Sequence, residues 1–223
     1  KELGNWETIY QGLSTLPDQA KQSWFKFDHF YSDRSFPLLL KEVFASKPKH
    51  LVDIGGNTGK WAIQCCKHDP DVEVTIVDLP QQLEVAMSNV SENQFAERVR
   101  PYPANMLDKA QTLPEHADVW WMSQFLDCFS PIEILNILKK VKAQLTKGDT
   151  IYVLELFWDA QKYAGASYSL NATSLYFTCL ANGNSRFYRS DDFLEIVEAA
   201  GLSVVERTDN IGLGHTLLKL QAN

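Results

Sequence analysis

Residues 51–59 read Leu-Val-Asp-Ile-Gly-Gly-Asn-Thr-Gly, an apolar run that passes straight into a glycine loop. Three glycines, Gly55, Gly56 and Gly59, fall within five positions between a strand-like run and a helix-like one. Such a turn lets backbone approach a ligand closely and leaves N–H groups free at a helix start. The spacing is Gly-Gly-x-x-Gly, not the Gly-x-Gly-x-x-Gly of a dinucleotide fingerprint. Asp53 stands two residues before the first glycine. A carboxylate there repels a pyrophosphate and suits a cationic ligand, such as one carrying an α-amino group and a sulfonium. Asp78 ends the next β-branched run, 25 residues on, where a carboxylate can accept both hydroxyls of a ribose. The plain alternatives are a ligand-free turn for the loop and a helix N-cap ahead of Pro80 for Asp78.

Two further residues carry chemical potential. Glu155 interrupts the apolar run 151–158. A carboxylate buried there unpaired is costly, so it belongs either to a site or to a buried structural pair. His215 follows Gly212-Leu213-Gly214 near the end of the chain.

The elements that position these residues alternate. Residues 14–46 read as two helices, about 17–31 and 35–45, with Pro37 in the first turn of the second, where proline is tolerated. Strands are expected at 50–54, 72–77, 99–103, 118–122 and 150–156. Helices are expected at 58–68, 80–90, 131–145 and 190–200, the last with Ser190 as N-cap and Gly201 as terminator. Two final strands, 202–207 and 215–220, flank a loop at 208–214. Alternation predicts an α/β fold, a Rossmann-like doubly wound sheet that is mostly parallel with helices on both faces. The last two strands have no helix between them and must be antiparallel, so the sheet is mixed and ends in a hairpin. In open sheets the ligand sits beyond the carboxyl ends of the parallel strands. An antiparallel last strand begins at that same edge, which places His215 near the rim of the site.

Composition bounds the rest. The 223 residues fit a single catalytic domain with 1–48 as a helical lead-in. A net charge of −7 argues against a nucleic-acid partner bound through bulk electrostatics. The four cysteines, Cys65, Cys66, Cys128 and Cys179, form no Cys-x-x-Cys pair, so neither a metal site nor a disulfide framework is expected. That reads as a reducing, cytoplasmic setting. No signal peptide or membrane-length apolar run is visible. The first residue is Lys1 rather than Met, which suggests a domain excised from a longer chain.

Residues 52–59 resemble the first cofactor motif of class I S-adenosylmethionine methyltransferases. The phrase Thr75-Ile76-Val77-Asp78-Leu79-Pro80 narrows the resemblance to O-methyltransferases of the plant caffeate and acetylserotonin type, over most of the chain from about Phe27 onward. The resemblance implies S-adenosylmethionine as cofactor, held by Asp53, Gly55, Gly56, Gly59, Asp78 and Leu79. The family's Gly-Asp-Met-Phe motif lines up with Ala104-Asn105-Met106-Leu107, so Asn105 is expected at the adenine amino group and Met106 on the ring face. Core packing is the plain alternative for Met106. The family's Leu-His-Asp-Trp-Ser-Asp phrase lines up with Leu126-Asp127-Cys128-Phe129-Ser130-Pro131. Asp127 therefore replaces the histidine general base, and Ser123 replaces a lysine, with cofactor contacts expected at Ser123 and Gln124.

That departure bears on mechanism. A carboxylate titrates near 4 and a phenol near 10, so Asp127 is a poor base for an ordinary phenol. Glu155 matches one of the family's two assisting glutamates, and no acid stands near 183–186, where the other would fall. His215 is the candidate replacement base, since imidazole has a suitable pKa, against a plain turn histidine. An acceptor that is already ionised needs no base. Tyr163, Tyr168, Asn171, Tyr176, Phe177, Phe187, Tyr188, Arg186 and Arg189 occupy the region that lines the family's acceptor pocket, against the plain reading as packing between helix and sheet. They suggest a small, flat aromatic or conjugated acceptor methylated on oxygen. The family's N-terminal dimerisation domain does not fit within 1–48, so a homodimer is expected of a longer parent. Two readings compete: an S-adenosylmethionine-binding protein without methyl transfer, and a nicotinamide-dependent oxidoreductase.

Overall fold

The computed structural model describes residues 34–181 and 184–223, together with 12, 16–20, 22–24 and 32. The helix expected over 17–31 therefore lies largely outside the described residues.

Seven strands form one sheet: β1 (His50–Ile54), β2 (Glu73–Asp78), β3 (Val99–Pro103), β4 (Val119–Ser123), β5 (Thr150–Glu155), β6 (Leu202–Ile211) and β7 (His215–Ala222). Their order is β3-β2-β1-β4-β5-β7-β6. The first five are parallel, and β7 runs antiparallel to both β5 and β6. The expected mixed sheet and hairpin are present.

The strand assignments show one difference. The loop expected at 208–214 is mostly strand, because β6 runs to Ile211 and only residues 212–214 turn. Moreover, the last strand inserts between β5 and β6. Side chains explain the placement: residues 215–218 of β7 are buried, whereas β6 exposes Val204 and Val205 and carries Glu206, Arg207 and Asp209. Charge on the edge strand blunts edge-to-edge pairing.

The helices are α1 (Phe36–Val43), α2 (Lys60–His68), α3 (Pro80–Glu92), α4 (Pro131–Lys142), α5 (Ala164–Tyr176) and α6 (Ser190–Ala199). Apolar stripes of α1, α2 and α3 cover one face of the sheet with Phe36, Leu39, Val43, Trp61 and Ala86. Those of α4 and α6 cover the other with Ile134, Ile137, Leu138, Phe193 and Val197. Phe36, Leu39, Leu40, Val43 and Phe44 are thus part of the core on that face. Local signals place the helix starts. Pro80 and Pro131 occupy first turns, and Ser130 with Glu133 forms a reciprocal capping box at α4. The cap of α6 is Arg189 rather than Ser190. Ser190 is held instead by Asp159, which accepts from its backbone N at 2.8 Å and its hydroxyl at 2.7 Å. Gly201, at φ +77°, ends that helix as expected.

Candidate functional site

The site lies at the carboxyl ends of β1, β2 and β4. Gly55 and Gly59 both have φ of +74°, a left-handed geometry that favours glycine. The Gly55 N–H donates to Val77 O at 2.8 Å, which folds the loop back over β2. Gly59 caps α2. Gly56 passes directly over the carboxylate of Asp53. A Cβ added there would stand 2.6 Å from Ile76 Cγ2 and 2.9 Å from Asp53 Oδ2. Gly56→Ala is expected to push the loop off its seat, weakening ligand binding at least tenfold and costing about 1–3 kcal/mol of stability. Calorimetric titration alongside a denaturant melt measures both.

Asp53 is buried, and its Oδ2 has no hydrogen-bond partner. Burial first, and then the charge of Asp78, push its pKa up to about 8. An orphaned carboxylate oxygen of this kind calls for a donor brought by a ligand. Asp78 is better satisfied: it accepts from the backbone N of Asn57 at 2.8 Å and of Leu79 at 2.7 Å. Burial raises its pKa, and those two hydrogen bonds oppose the rise. A carboxylate with two N–H partners keeps lone pairs for two ligand hydroxyls.

A cavity of about 50 Å³ opens here. It brings together Asp53, Gly55, Gly56, Ser123 and Gln124, all expected from the sequence. Six further wall residues, Ser32, Phe36, Asn57, Lys60, Trp61 and Trp121, were not among those expected. One of them was within reach of pattern reasoning. Trp121 pairs in register with Asp53 across β1 and β4, so it shares its face of the sheet. Trp61 stacks on Trp121 with centroids 4.0 Å apart and rings 16° from parallel.

Of the other expected contacts, Gly59, Asp78 and Leu79 adjoin the cavity without lining it, Asp78 through its bond to Asn57, while Asn105 and Met106 are engaged elsewhere. Asn105 is exposed and spends its Oδ1 on the backbone N of Leu107 at 3.0 Å. Met106 is buried in the core cluster that α4 covers, and Lys140 of α4 donates to its carbonyl at 3.1 Å.

The connector between β4 and α4 is held from below by Glu155. Its Oε1 accepts from the backbone N of Phe125 at 3.1 Å and of Leu126 at 2.9 Å, while Oε2 has no partner. Burial and then the Asp127 charge push the Glu155 pKa well above its ordinary value. Burial thus favours the protonated form of Glu155, and the nearby Asp127 carboxylate favours it further. The same connector is strapped from the far side. Arg186 N donates to Asp127 O at 2.9 Å, and Tyr188 Oη donates to Phe129 O at 2.5 Å.

His215 begins β7 opposite Ile211, at the edge that the hairpin argument gave. Its environment differs from a rim. The side chain is fully buried, with Nδ1 2.9 Å from Ser35 Oγ and Nε2 3.2 Å from Gln124 Oε1. Burial lowers its pKa to about 4, against the opposing effect of the Ile211 carbonyl. The ring is neutral and enclosed, an unsuitable base for a group in solvent contact. The unfolded chain takes up a proton near 6.5 and the folded chain only near 4. The stability that His215 contributes is thus complete above 6.5 and is lost as pH falls through that window. Melts from pH 7 to 4 are expected to show about 3 kcal/mol less loss in His215→Gln than in the wild type. Taking the difference cancels the buried carboxylates, which shift the other way.

The later aromatics divide. Tyr163, Tyr168 and Tyr176 are exposed, and Tyr188 is buried. A second cleft, of about 890 Å³, is bordered by Trp158, Asn171, Phe187 and Arg189, and shares no wall residue with the small cavity. Among the described residues no group of three His, Cys, Asp or Glu side chains is placed to hold a metal, and no helix is long and apolar enough to cross a membrane.

Sheet order, glycine loop and paired acids define a Rossmann-like domain with a site for a ribose-bearing cation. The profile of the O-methyltransferase domain matches residues 36–203. The chain belongs to that family. It is 25% identical over 167 residues to 3-hydroxy-5-methyl-1-naphthoate 3-O-methyltransferase of Streptomyces sahachiroi, covering 75% of this chain and 47% of that one. It is 26% identical over 170 residues to demethylspheroidene O-methyltransferase of Rhodobacter capsulatus, covering 75% and 40%. The S-adenosylmethionine-dependent methyltransferase SibL superposes with a TM-score of 0.78 at 25% identity, over 98% of this chain and 63% of that structure. The chain thus spans about half the length, or less, of these two sequence relatives.

Proposed function

We propose that this chain binds S-adenosylmethionine and transfers its methyl group to oxygen on a small, flat aromatic or conjugated acceptor. The observation that carries the reading is Asp53, a buried carboxylate with an orphaned oxygen beneath a glycine whose Cβ position is filled. These residues fit the cofactor: Asp53 suits its cationic amino-acid end, and Asp78 its ribose. When bound, S-adenosylmethionine supplies an electrophilic methyl on a sulfonium. The protein's contribution is alignment and exclusion of water by Phe36, Trp61 and Trp121. In this reading Asp127 takes the proton, on the connector whose backbone Glu155 holds. A carboxylate base restricts the acceptor to a hydroxyl acidified by conjugation, or to one already ionised. Two relatives are named for O-methylation of a hydroxynaphthoate and of demethylspheroidene.

Calorimetric titration with S-adenosylhomocysteine, then a mass-shift screen of hydroxylated aromatic acids and polyenes, tests the reading. Binding and a methylated product are expected. Affinity for NAD but not S-adenosylhomocysteine would overturn it. Affinity without any product would favour a binding protein, the second reading, which Asp127 in the histidine's place supports. The proposal extends to a homodimer in the cytoplasm. The four cysteines of this chain, all free, accord with a reducing compartment, and light scattering reads the dimer.

A further inference from the structure

His215 is the buried titratable group that the proposed reaction leaves unused, and its two nitrogens reach two different segments. An amide oxygen only accepts, so Nε2 carries the ring proton and donates to Gln124 Oε1 at 3.2 Å. Nδ1 then accepts from Ser35 Oγ at 2.9 Å. One neutral tautomer satisfies both contacts.

Both partners belong to the small cavity's surroundings. Gln124 lines it directly, and Ser35 adjoins Phe36, which lines it from the α1 side. Gln124 has a φ of +47°, a left-handed geometry that a non-glycine residue adopts only when its surroundings hold it there. Its backbone N–H donates to Leu154 O at 2.9 Å, and its side chain is held by the histidine. The hairpin turn is pressed onto the same place. Gly212, at φ +58°, would set a Cβ 2.4 Å from Ser35 Oγ. One ring therefore joins the terminal hairpin, the start of α1 and the cavity.

We infer that His215 is a positioning residue for the cofactor: through Gln124 it fixes one wall of the cofactor cavity, and through Ser35 it ties the α1 wall to the same bridge. The inference rests on the cofactor reading above. It assigns His215 no proton transfer.

The test uses His215→Phe, which keeps bulk and removes both nitrogens, His215→Gln, which keeps a donor and an acceptor, and Gln124→Leu. Calorimetry with S-adenosylhomocysteine is expected to give a loss on the order of tenfold for His215→Phe and for Gln124→Leu. The double variant is expected to lose no more than either single one, and His215→Gln to recover most of the affinity. In His215→Phe and in Gln124→Leu the KM for cofactor is expected to rise by a larger factor than kcat falls. In the ligand-free protein, the ¹⁵N signals of the His215 ring are expected to report Nε2–H, and Gln124→Leu to shift them. Unchanged affinity in a folded His215→Phe, additive losses, or a fall in kcat with affinity intact would overturn the inference. If the wild type binds no S-adenosylhomocysteine, the cofactor reading fails. The ring signals then still decide whether the bridge exists. If His215→Phe does not fold, Gln124→Leu and its ring shift carry the test.

Discussion

Asp53→Asn is expected to abolish most cofactor affinity while making the ligand-free protein more stable at alkaline pH. Both effects have one cause. Asp53 is fully enclosed, one of its oxygens has no partner, and its pKa is pushed up to about 8 from 3.8. The unfolded chain releases this proton near 3.8, whereas the folded chain holds it to about 8. Across that window the folded state binds more protons, so stability falls as pH rises, and levels off above 8. At about 1.4 kcal/mol per pKa unit, the expected gain for Asn at pH 9 is several kcal/mol. On the proposed reading, the carboxylate is retained at that cost because the cationic cofactor needs it. Replacing one partner of a buried charged pair costs about 2–4 kcal/mol of binding, on the order of a hundredfold or more in affinity. Thermal melts at pH 6 and 9, with titration of S-adenosylhomocysteine, read both sides. A variant that binds normally, or that gains nothing at pH 9, contradicts the assignment.

The second large effect is expected at Glu155, where two substitutions should part company. Glu155→Ala removes the acceptor for the backbone N–H groups of Phe125 and Leu126, leaving both unpaired beneath the connector. Unsatisfied buried donors at about 1–3 kcal/mol each, with the cavity left behind, give an expected loss on the order of 3–5 kcal/mol. Glu155→Gln keeps an acceptor oxygen for both donors and removes the titration. It is expected to match the wild type near pH 4 and to exceed it by a margin that grows as pH rises. The sign follows from a raised carboxylate pKa, whose folded form resists ionisation as pH climbs above 4.5. Turnover should survive in Gln and fall in Ala. Loss of turnover in a stable Glu155→Gln would instead make Glu155 a proton carrier in the reaction. Denaturant unfolding and a methyl-transfer assay on the same preparations separate these outcomes.

Much of this site was legible before any coordinates. Gly55, Gly56 and Gly59 act through backbone freedom, which is local and therefore written in residue type. Asp53 and Asp78 are read from their offsets to that loop and to Pro80, again within a few residues. The antiparallel hairpin followed from chain connectivity alone, because no helix separates β6 from β7. His215 was correctly placed at the sheet edge by that argument. Its burial was not legible there, since burial is set by what packs around the ring, and Ser35 and Gln124 lie 180 and 91 residues away. Met106 faces the core for a similar reason: which way a loop side chain turns depends on the helix above it.

The sequence by itself determined the fold class, the glycine loop and the acids that face it, because periodicity and backbone restriction act over short stretches. Only the tertiary structure decided which face Trp61, Trp121 and Phe36 close, that the last strand lies inside the sheet, and that Glu155 and His215 are buried supports. Those outcomes depend on desolvation and packing between distant segments. Neither has a signature in any single stretch of chain.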